Sequence, residues 1–112
     1  MAAMAVMATR RLDVVVVRGR SMMPTLRPGD RLVAARLTRA PRRGEIVLAP
    51  DPREPGRELV KRVSAVTNGR VALRGDDPAA STDGRTFGDL PARSVRWRVI
   101  ARCWPPGRLR TF

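Results

Sequence analysis

The chain has 112 residues, 43% of them hydrophobic, with 23 basic and 10 acidic side chains and a formal net charge of +13 at pH 7. This length predicts one domain with a modest core, and the hydrophobic fraction excludes intrinsic disorder. No histidine and only one cysteine, Cys103, are present, which excludes a Ser-His-Asp triad, an internal disulfide and a plausible zinc or iron–sulfur site.

These absences lead to expectations about cofactors and location. We expect no metal and no cofactor. The longest uncharged run, residues 1–9, is about half as long as a membrane span requires, and it has no charged start. We therefore expect a cytoplasmic protein with no transmembrane anchor, of unknown oligomeric state.

The predicted elements are short strands, because ten prolines and nine glycines interrupt the chain. In chain order they cover residues 13–18, 31–37, 46–48, 58–67, 70–74 and 94–104. Residues 50–56, with three prolines, and residues 75–85 are predicted loops. The dipeptide Asn68-Gly69 predicts a two-residue hairpin turn. In the last strand, alternation puts Cys103 on the buried face, opposite a mostly arginine face. The fold is predicted to be mainly β, with little helix.

Lys61 is the only lysine, among 22 arginines. An arginine stays protonated in proteins, whereas burial lowers the pKa of a lysine so that its amine can act as a base. The period of a strand puts Lys61 on one face with Leu59, Val63 and Ala65. A regular two-residue turn would then place Val63 opposite an arginine, and a bulge or longer turn would remove that conflict. Both alternatives stay open.

Ser21 lies at a predicted turn between two apolar stretches. A serine and a lysine in a chain without histidine are typical of a Ser-Lys hydrolase. Taken singly, a serine in a turn and a lysine on a strand are usually structural and solvated residues. Their combination favours catalysis.

The net charge raises a different class of function, nucleic-acid binding. The arginines are scattered along the chain, however, and four aromatic residues are too few for a stacking surface. Solvated arginines explain the charge, so we expect no specific nucleic acid as a partner. The aspartates Asp76, Asp77 and Asp83 are likewise interpreted as turn-forming residues and not as a cation site.

Four motifs, in order, resemble the boxes of the type I signal peptidase family. They are Gly19-x-Ser21-Met22-x-Pro24-Thr25-Leu26-x-Pro28-Gly29-Asp30, Arg43-Gly44-Glu45-Ile46-Val47, Val60-Lys61-Arg62-Val63 and Gly75-Asp76-Asp77-(x)3-Ser81-x-Asp83-x-Arg85. The resemblance implies a small single-domain, β-barrel-like signal-peptidase catalytic core over residues 13–105. Residues 1–12 would be a flexible N-terminal segment, and residues 106–112 a basic C-terminal tail.

The same resemblance implies roles for individual residues. Ser21 would be the nucleophile, Lys61 its neutral general base, and Ser81 the hydroxyl that orients the lysine. The structural supports would be Asp76 and the pair of Asp83 and Arg85. Gly19 stands where some relatives carry an oxyanion-binding serine, so the oxyanion hole would rest on backbone N–H groups, that of Ser21 first, and Met22 would line the pocket. The family's usual asparagine and serine are replaced by Asp77 and Gly84.

The implied activity is that of a serine endopeptidase which removes an N-terminal leader from a protein precursor by acyl transfer. The short chain most resembles the nickel-type superoxide dismutase maturation proteases. One alternative is a general signal peptidase that acts at the membrane with an anchor on a partner chain. The other is a non-catalytic basic β-domain that binds nucleic acid.

Overall fold

The structure is a computed structural model, and it describes residues 11–80 and 89–112. This part of the chain contains eight strands: β1 (Leu12–Val16), β2 (Arg31–Arg36), β3 (Ile46–Pro50), β4 (Glu58–Thr67), β5 (Arg70–Arg74), β6 (Leu90–Pro91), β7 (Trp97–Trp104) and β8 (Arg110–Thr111). Three single-turn 3-10 helices cover Pro78–Ala80, Ala92–Ser94 and Pro106–Arg108. The predicted fold, mainly β with little helix, is confirmed.

The strands form one antiparallel sheet in the order β1-β2-β7-β3-β4-β5-β6, with β8 paired to β7. Residues far apart in sequence therefore become neighbours: β7 lies between β2 and β3. Within the two described ranges, no helix has the length and apolar character that a membrane crossing requires.

Strand β3 is buried on both of its faces. Ile46 and Leu48 belong to one hydrophobic cluster, together with residues of β2, β7 and the segment that follows β1. Val47 and Ala49 belong to a second cluster, with residues of β4, β5 and the region after β6. Because successive side chains of a strand point to opposite faces, the apolar run of β3 separates the two clusters.

The β4–β5 hairpin contains a bulge, one of the two alternatives that the sequence allowed. Asn68 and Gly69 have positive φ angles of 51° and 73°, as a type I′ turn requires. The pairing then shifts between Val63 and Ala65, so that Val63 lies opposite Leu73 instead of an arginine. The bulge keeps the buried face of β4 apolar around Val63.

Strand β7 departs from the predicted alternation. Its pairing with β2 shifts at two points, between Arg31 and Leu32 and between Val33 and Ala34. Each shift moves the following side chains to the other face of the sheet. As a result, Cys103 is exposed and Arg102 is buried. The prediction that Cys103 faces the interior is therefore wrong.

Candidate active site

Ser21 lies in a tight loop between β1 and β2. The two ends of the loop are joined by hydrogen bonds: the N–H of Val17 donates to the carbonyl of Asp30 at 2.8 Å, and the N–H of Gly29 donates to the carbonyl of Val17 at 2.9 Å. Inside the loop, the N–H of Leu26 donates to the carbonyl of Met22 at 2.9 Å. The side chains of Met22 and Leu26 are buried in the first hydrophobic cluster. Ser21 itself is partly exposed on this anchored loop.

Lys61 is located in the middle of β4, and only 2% of its surface is exposed. Its partner in the β3–β4 ladder is Val47, which is fully buried. Leu59 and Val63, two positions away on either side, are also buried. The sole lysine therefore lies on the apolar face that the strand period predicts. For Ala65 that prediction is wrong, because the bulge intervenes and this residue is exposed.

Ser21 and Lys61 line the same cleft, whose volume is about 610 Å³. Gly19 and Met22 line it as well, so four of the predicted site residues meet there. Gly19 is exposed and has a φ of +77°, a backbone conformation that favours glycine. The other walls of the cleft come from β1, from the loop between β3 and β4, and from the first half of β4. They include Arg53, Glu54, Arg57 and Glu58.

Asp76 joins the serine loop to the lysine strand. Its carboxylate accepts a hydrogen bond from the hydroxyl of Thr25 at 2.6 Å and two from the guanidinium of Arg62, both at 2.8 Å. The N–H of Asp77 donates to the carbonyl of Ser21 at 2.8 Å. The hydrogen bonds from Arg62 hold the pKa of Asp76 below its usual range, against the opposing effect of burial, and the Thr25 hydroxyl lowers it further.

Thr25 and Arg62 were not assigned a function by sequence reasoning. Both belong to the motifs that carry the resemblance, and each is close in sequence to a predicted catalytic residue. Their closeness to Ser21 and Lys61 in the sequence was the signal that could have identified them. Their shared partner, Asp76, becomes visible only in the folded structure. Three predicted site residues, Ser81, Asp83 and Arg85, lie outside the described residues, as does Gly84.

Metal ligation has no support in the described part of the chain, where no three His, Cys, Asp or Glu side chains are grouped as a metal site. The cleft instead brings a hydroxyl and a buried primary amine together. Such a pair can perform nucleophilic chemistry if the amine is neutral.

Comparison with known sequences defines the class of protein. The sequence model of the family described as signal peptidase, peptidase S26, matches residues 1–73. The chain belongs to this family of serine peptidases.

Several relatives of the chain are named as subunits of inner membrane proteases. The chain is 32% identical over 116 residues to mitochondrial inner membrane protease subunit 1 of Xenopus tropicalis, covering 83% of this chain and 70% of that protein. For the Homo sapiens subunit 1 the identity is 33% over 115 residues, covering 82% and 69%. Mitochondrial ATP-independent inner membrane protease subunit 1a of Arabidopsis thaliana is 32% identical over 116 residues, covering 80% and 69%.

These relatives correct two expectations. They are named as subunits of a protease of the mitochondrial inner membrane, which contradicts the two expectations. The expected cytoplasmic location was therefore wrong, and so was the expectation of no transmembrane anchor. None of the three is named as a nickel-type superoxide dismutase maturation protease, so this finer resemblance gains no support.

Proposed function

We propose that this chain is a leader-removing serine endopeptidase in which Ser21 is the nucleophile and Lys61 the general base. The observation that carries the proposal is the shared cleft: the hydroxyl-bearing loop and the buried lysine line one cavity in a member of the signal peptidase family. A lysine on a strand is ordinarily exposed to solvent. The burial of Lys61 therefore supports a chemical role for its amine.

The reaction follows from the two groups. Neutral Lys61 accepts the proton of the Ser21 hydroxyl while the Ser21 oxygen attacks the carbonyl carbon of the scissile peptide bond. The resulting tetrahedral intermediate carries its negative charge on the former carbonyl oxygen, which backbone N–H groups near Gly19 and Ser21 would stabilise. The lysine ammonium then protonates the leaving amine, and an ester joins the substrate's leader to Ser21. Water, deprotonated by Lys61, hydrolyses that ester and restores both residues.

Ser81 completes the proposed site as the hydroxyl that orients the amine of Lys61 toward Ser21. Asp83 and Arg85 would brace the loop that carries it. Support for these three roles comes from the spacing of the Gly75-Asp76-Asp77 motif and from the contacts of its first residues. Asp76 and Asp77, which precede Ser81 by five and four residues in the sequence, form hydrogen bonds with the serine loop.

The names of the relatives favour a location and a mode of assembly. We propose that the chain acts at an inner membrane, as one subunit of a protease with further protein partners. Its substrates would be precursors whose N-terminal leaders reach that membrane. Maturation of a nickel-type superoxide dismutase precursor stays a separate prediction, which none of the named relatives supports.

The basic β-domain alternative is less well supported, because the chain belongs to a peptidase family and some of its arginines have acidic partners. Arg39 pairs with Glu45, Arg53 with Asp51 and Arg62 with Asp76, at 2.7 to 3.1 Å. The formal net charge of +13 remains, so a salt-titrated binding assay is the test of this alternative: phosphate contacts would give a steep loss of affinity with salt.

The test is incubation of the purified protein with two precursors, one an inner membrane protein with its leader and the other a nickel-type superoxide dismutase precursor, with and without lipid vesicles. Mass spectrometry of any new N-terminus identifies the cleaved bond. We expect cleavage that the Ser21→Ala variant lacks. The proposed function would be contradicted if wild type and Ser21→Ala cleaved a precursor equally, or if wild type cleaved neither precursor under any condition.

A further inference from the structure

Arg102 is a buried arginine outside the four sequence motifs and beyond the residues that the family model matches. Its side chain is 7% exposed. The register shift between Val33 and Ala34, which on β7 falls between Val99 and Ala101, comes before Arg102 and turns its side chain to the interior face. A charged group is costly to bury, so its partners indicate what the burial achieves.

The guanidinium of Arg102 binds two backbone carbonyls and a carboxylate. One terminal nitrogen donates to the carbonyl of Thr25 at 2.8 Å and lies 3.6 Å from a carboxylate oxygen of Asp30. The Nε donates to the carbonyl of Arg108. Thr25 and Asp30 belong to the loop that carries Ser21, and Arg108 belongs to the end of the chain.

The segment formed by residues 105–112, here called the C-terminal hook, is fixed to the same cluster. The guanidinium of Arg108 donates to Asp30 at 2.6 Å, and Asp30 also accepts the N–H of Arg27 at 2.9 Å. Beyond it, β8 pairs with β7, and the N–H of Phe112 donates to the carbonyl of Ile100 at 2.9 Å. The hook thus closes over one side of Arg102 while the serine loop closes over the other.

Thr25 is therefore fixed from two directions. Its side-chain hydroxyl donates a hydrogen bond to Asp76, and its main-chain carbonyl accepts a hydrogen bond from Arg102. The first contact comes from the lysine side of the site and the second from the C-terminal hook. Thr25 is four residues from Ser21, within the turn that the Leu26 to Met22 hydrogen bond closes. This turn begins at Met22, the residue next to Ser21 in the chain.

We propose that Arg102 is a positioning residue for Ser21 and that the C-terminal hook sets its orientation. The proposal rests on the proposed function, in which Ser21 is the nucleophile. Arg102 does not touch the substrate: its charge-assisted hydrogen bond fixes the backbone of the serine loop. A nucleophile displaced by about 1 Å loses roughly 100-fold in rate, so this contact should affect turnover more than substrate binding.

The variants to compare are Arg102→Leu, Arg102→Lys and Arg108→Leu, with Arg110→Leu as the matched control. Arg110 is an exposed arginine of the same hook, stacked on the ring of Phe112 at 4.8 Å. Asp30 keeps Arg108 as a partner in Arg102→Leu, so this variant should fold. Arg108→Leu loses an ion pair but little packing, and it carries the test if Arg102→Leu does not fold.

Each variant is assayed for kcat and KM on a cleaved precursor or peptide, with circular dichroism confirming the fold at the assay temperature. We expect kcat to fall about 10-fold to 100-fold in Arg102→Leu with KM within about 2-fold of wild type. Arg102→Lys keeps a charged donor and should recover part of the loss, Arg108→Leu should lose about 3-fold to 10-fold, and Arg110→Leu should match wild type.

The proposal is overturned if folded Arg102→Leu and Arg108→Leu retain wild-type kcat, or if Arg110→Leu is impaired as much as they are. A loss confined to stability or to KM would also overturn it, since either would make Arg102 a structural or substrate-binding residue. Failure of the wild-type protein to cleave would instead contradict the proposed function itself.

Discussion

The carboxylate of Asp76 and the guanidinium of Arg62 form a pair with two hydrogen bonds, each 2.8 Å long. Arg62 is the neighbour of Lys61 on β4, and the same carboxylate accepts the hydroxyl of Thr25 from the serine loop. One side chain therefore fixes the distance between the two elements that carry the proposed catalytic residues. Paired arrangements of this kind are stronger than neutral hydrogen bonds because both partners are charged.

Replacement of this carboxylate should destabilise the fold in a pH-dependent way. Asp76→Asn weakens two charge-assisted hydrogen bonds, so we expect a loss of about 1.5–3 kcal/mol in the free energy of unfolding at pH 7. The pKa of Asp76 is lowered in the folded protein, first by Arg62. The carboxylate therefore contributes its full stability above the usual aspartate pKa of about 3.9, and the contribution is lost as the pH falls through that value toward the lowered folded pKa.

Urea unfolding of wild type and Asp76→Asn between neutral and acid pH measures this difference. The gap between the two proteins should narrow as the pH is lowered, because the wild-type carboxylate becomes neutral like the amide. Asp89→Asn, at an exposed aspartate, is the control and should change little. A gap that stays constant down to acid pH would show that the ion pair with Arg62 does not stabilise the fold.

Loss of the Ser21 hydroxyl should abolish activity and leave the fold intact. Ser21 is held through its carbonyl, which accepts the N–H of Asp77, and Ser21→Ala preserves that contact. We expect a thermal unfolding midpoint close to that of wild type and peptide hydrolysis at background. Thermal denaturation and a precursor cleavage assay on one preparation measure both. Retention of most activity would remove Ser21 from the mechanism.

Ser81 should influence the rate of reaction and not the affinity for substrate. If its hydroxyl orients the neutral amine of Lys61, Ser81→Ala should lower kcat by about 10-fold to 1,000-fold without a matching rise in KM. Steady-state kinetics on one peptide substrate separate the two parameters. A variant with normal kcat and a raised KM would identify Ser81 as a substrate-binding residue instead.

Much of the fold could be predicted because its signals are local. The Val14 to Val17 run, the Asn68-Gly69 turn and the prolines of residues 50–56 each reflect the conformational preferences of a few neighbouring residues. The burial of Lys61 followed from the same logic, since its neighbours at two-residue spacing are apolar. The observed strands β4 and β5 have the predicted bounds.

The register shifts of β7 could not be predicted, and they explain which of its side chains the sequence placed on the wrong face. A strand's period is interpretable only until its register shifts. The shifts in β7 occur against β2, a distant part of the chain, whereas the bulge within the β4–β5 hairpin was one of two open alternatives. Because of the shifts in β7, Cys103 was assigned to the interior and Arg102 to the surface. The bond between Thr25 and Asp76 was equally hidden, because 51 residues separate them and only the assembled sheet brings them together.

The most direct test of the central claim concerns Lys61. If its amine must be neutral to take the proton from Ser21, Lys61→Arg should be as inactive as Lys61→Ala, because a guanidinium keeps its positive charge. The measurement is a pH–rate profile of both variants beside wild type. Wild-type activity should rise with pH through an apparent pKa well below the value of about 10.4 for a free lysine, and no histidine is present to explain that rise. An active Lys61→Arg enzyme, or a wild-type profile that is flat between about pH 6 and pH 10, would contradict the proposed role of Lys61.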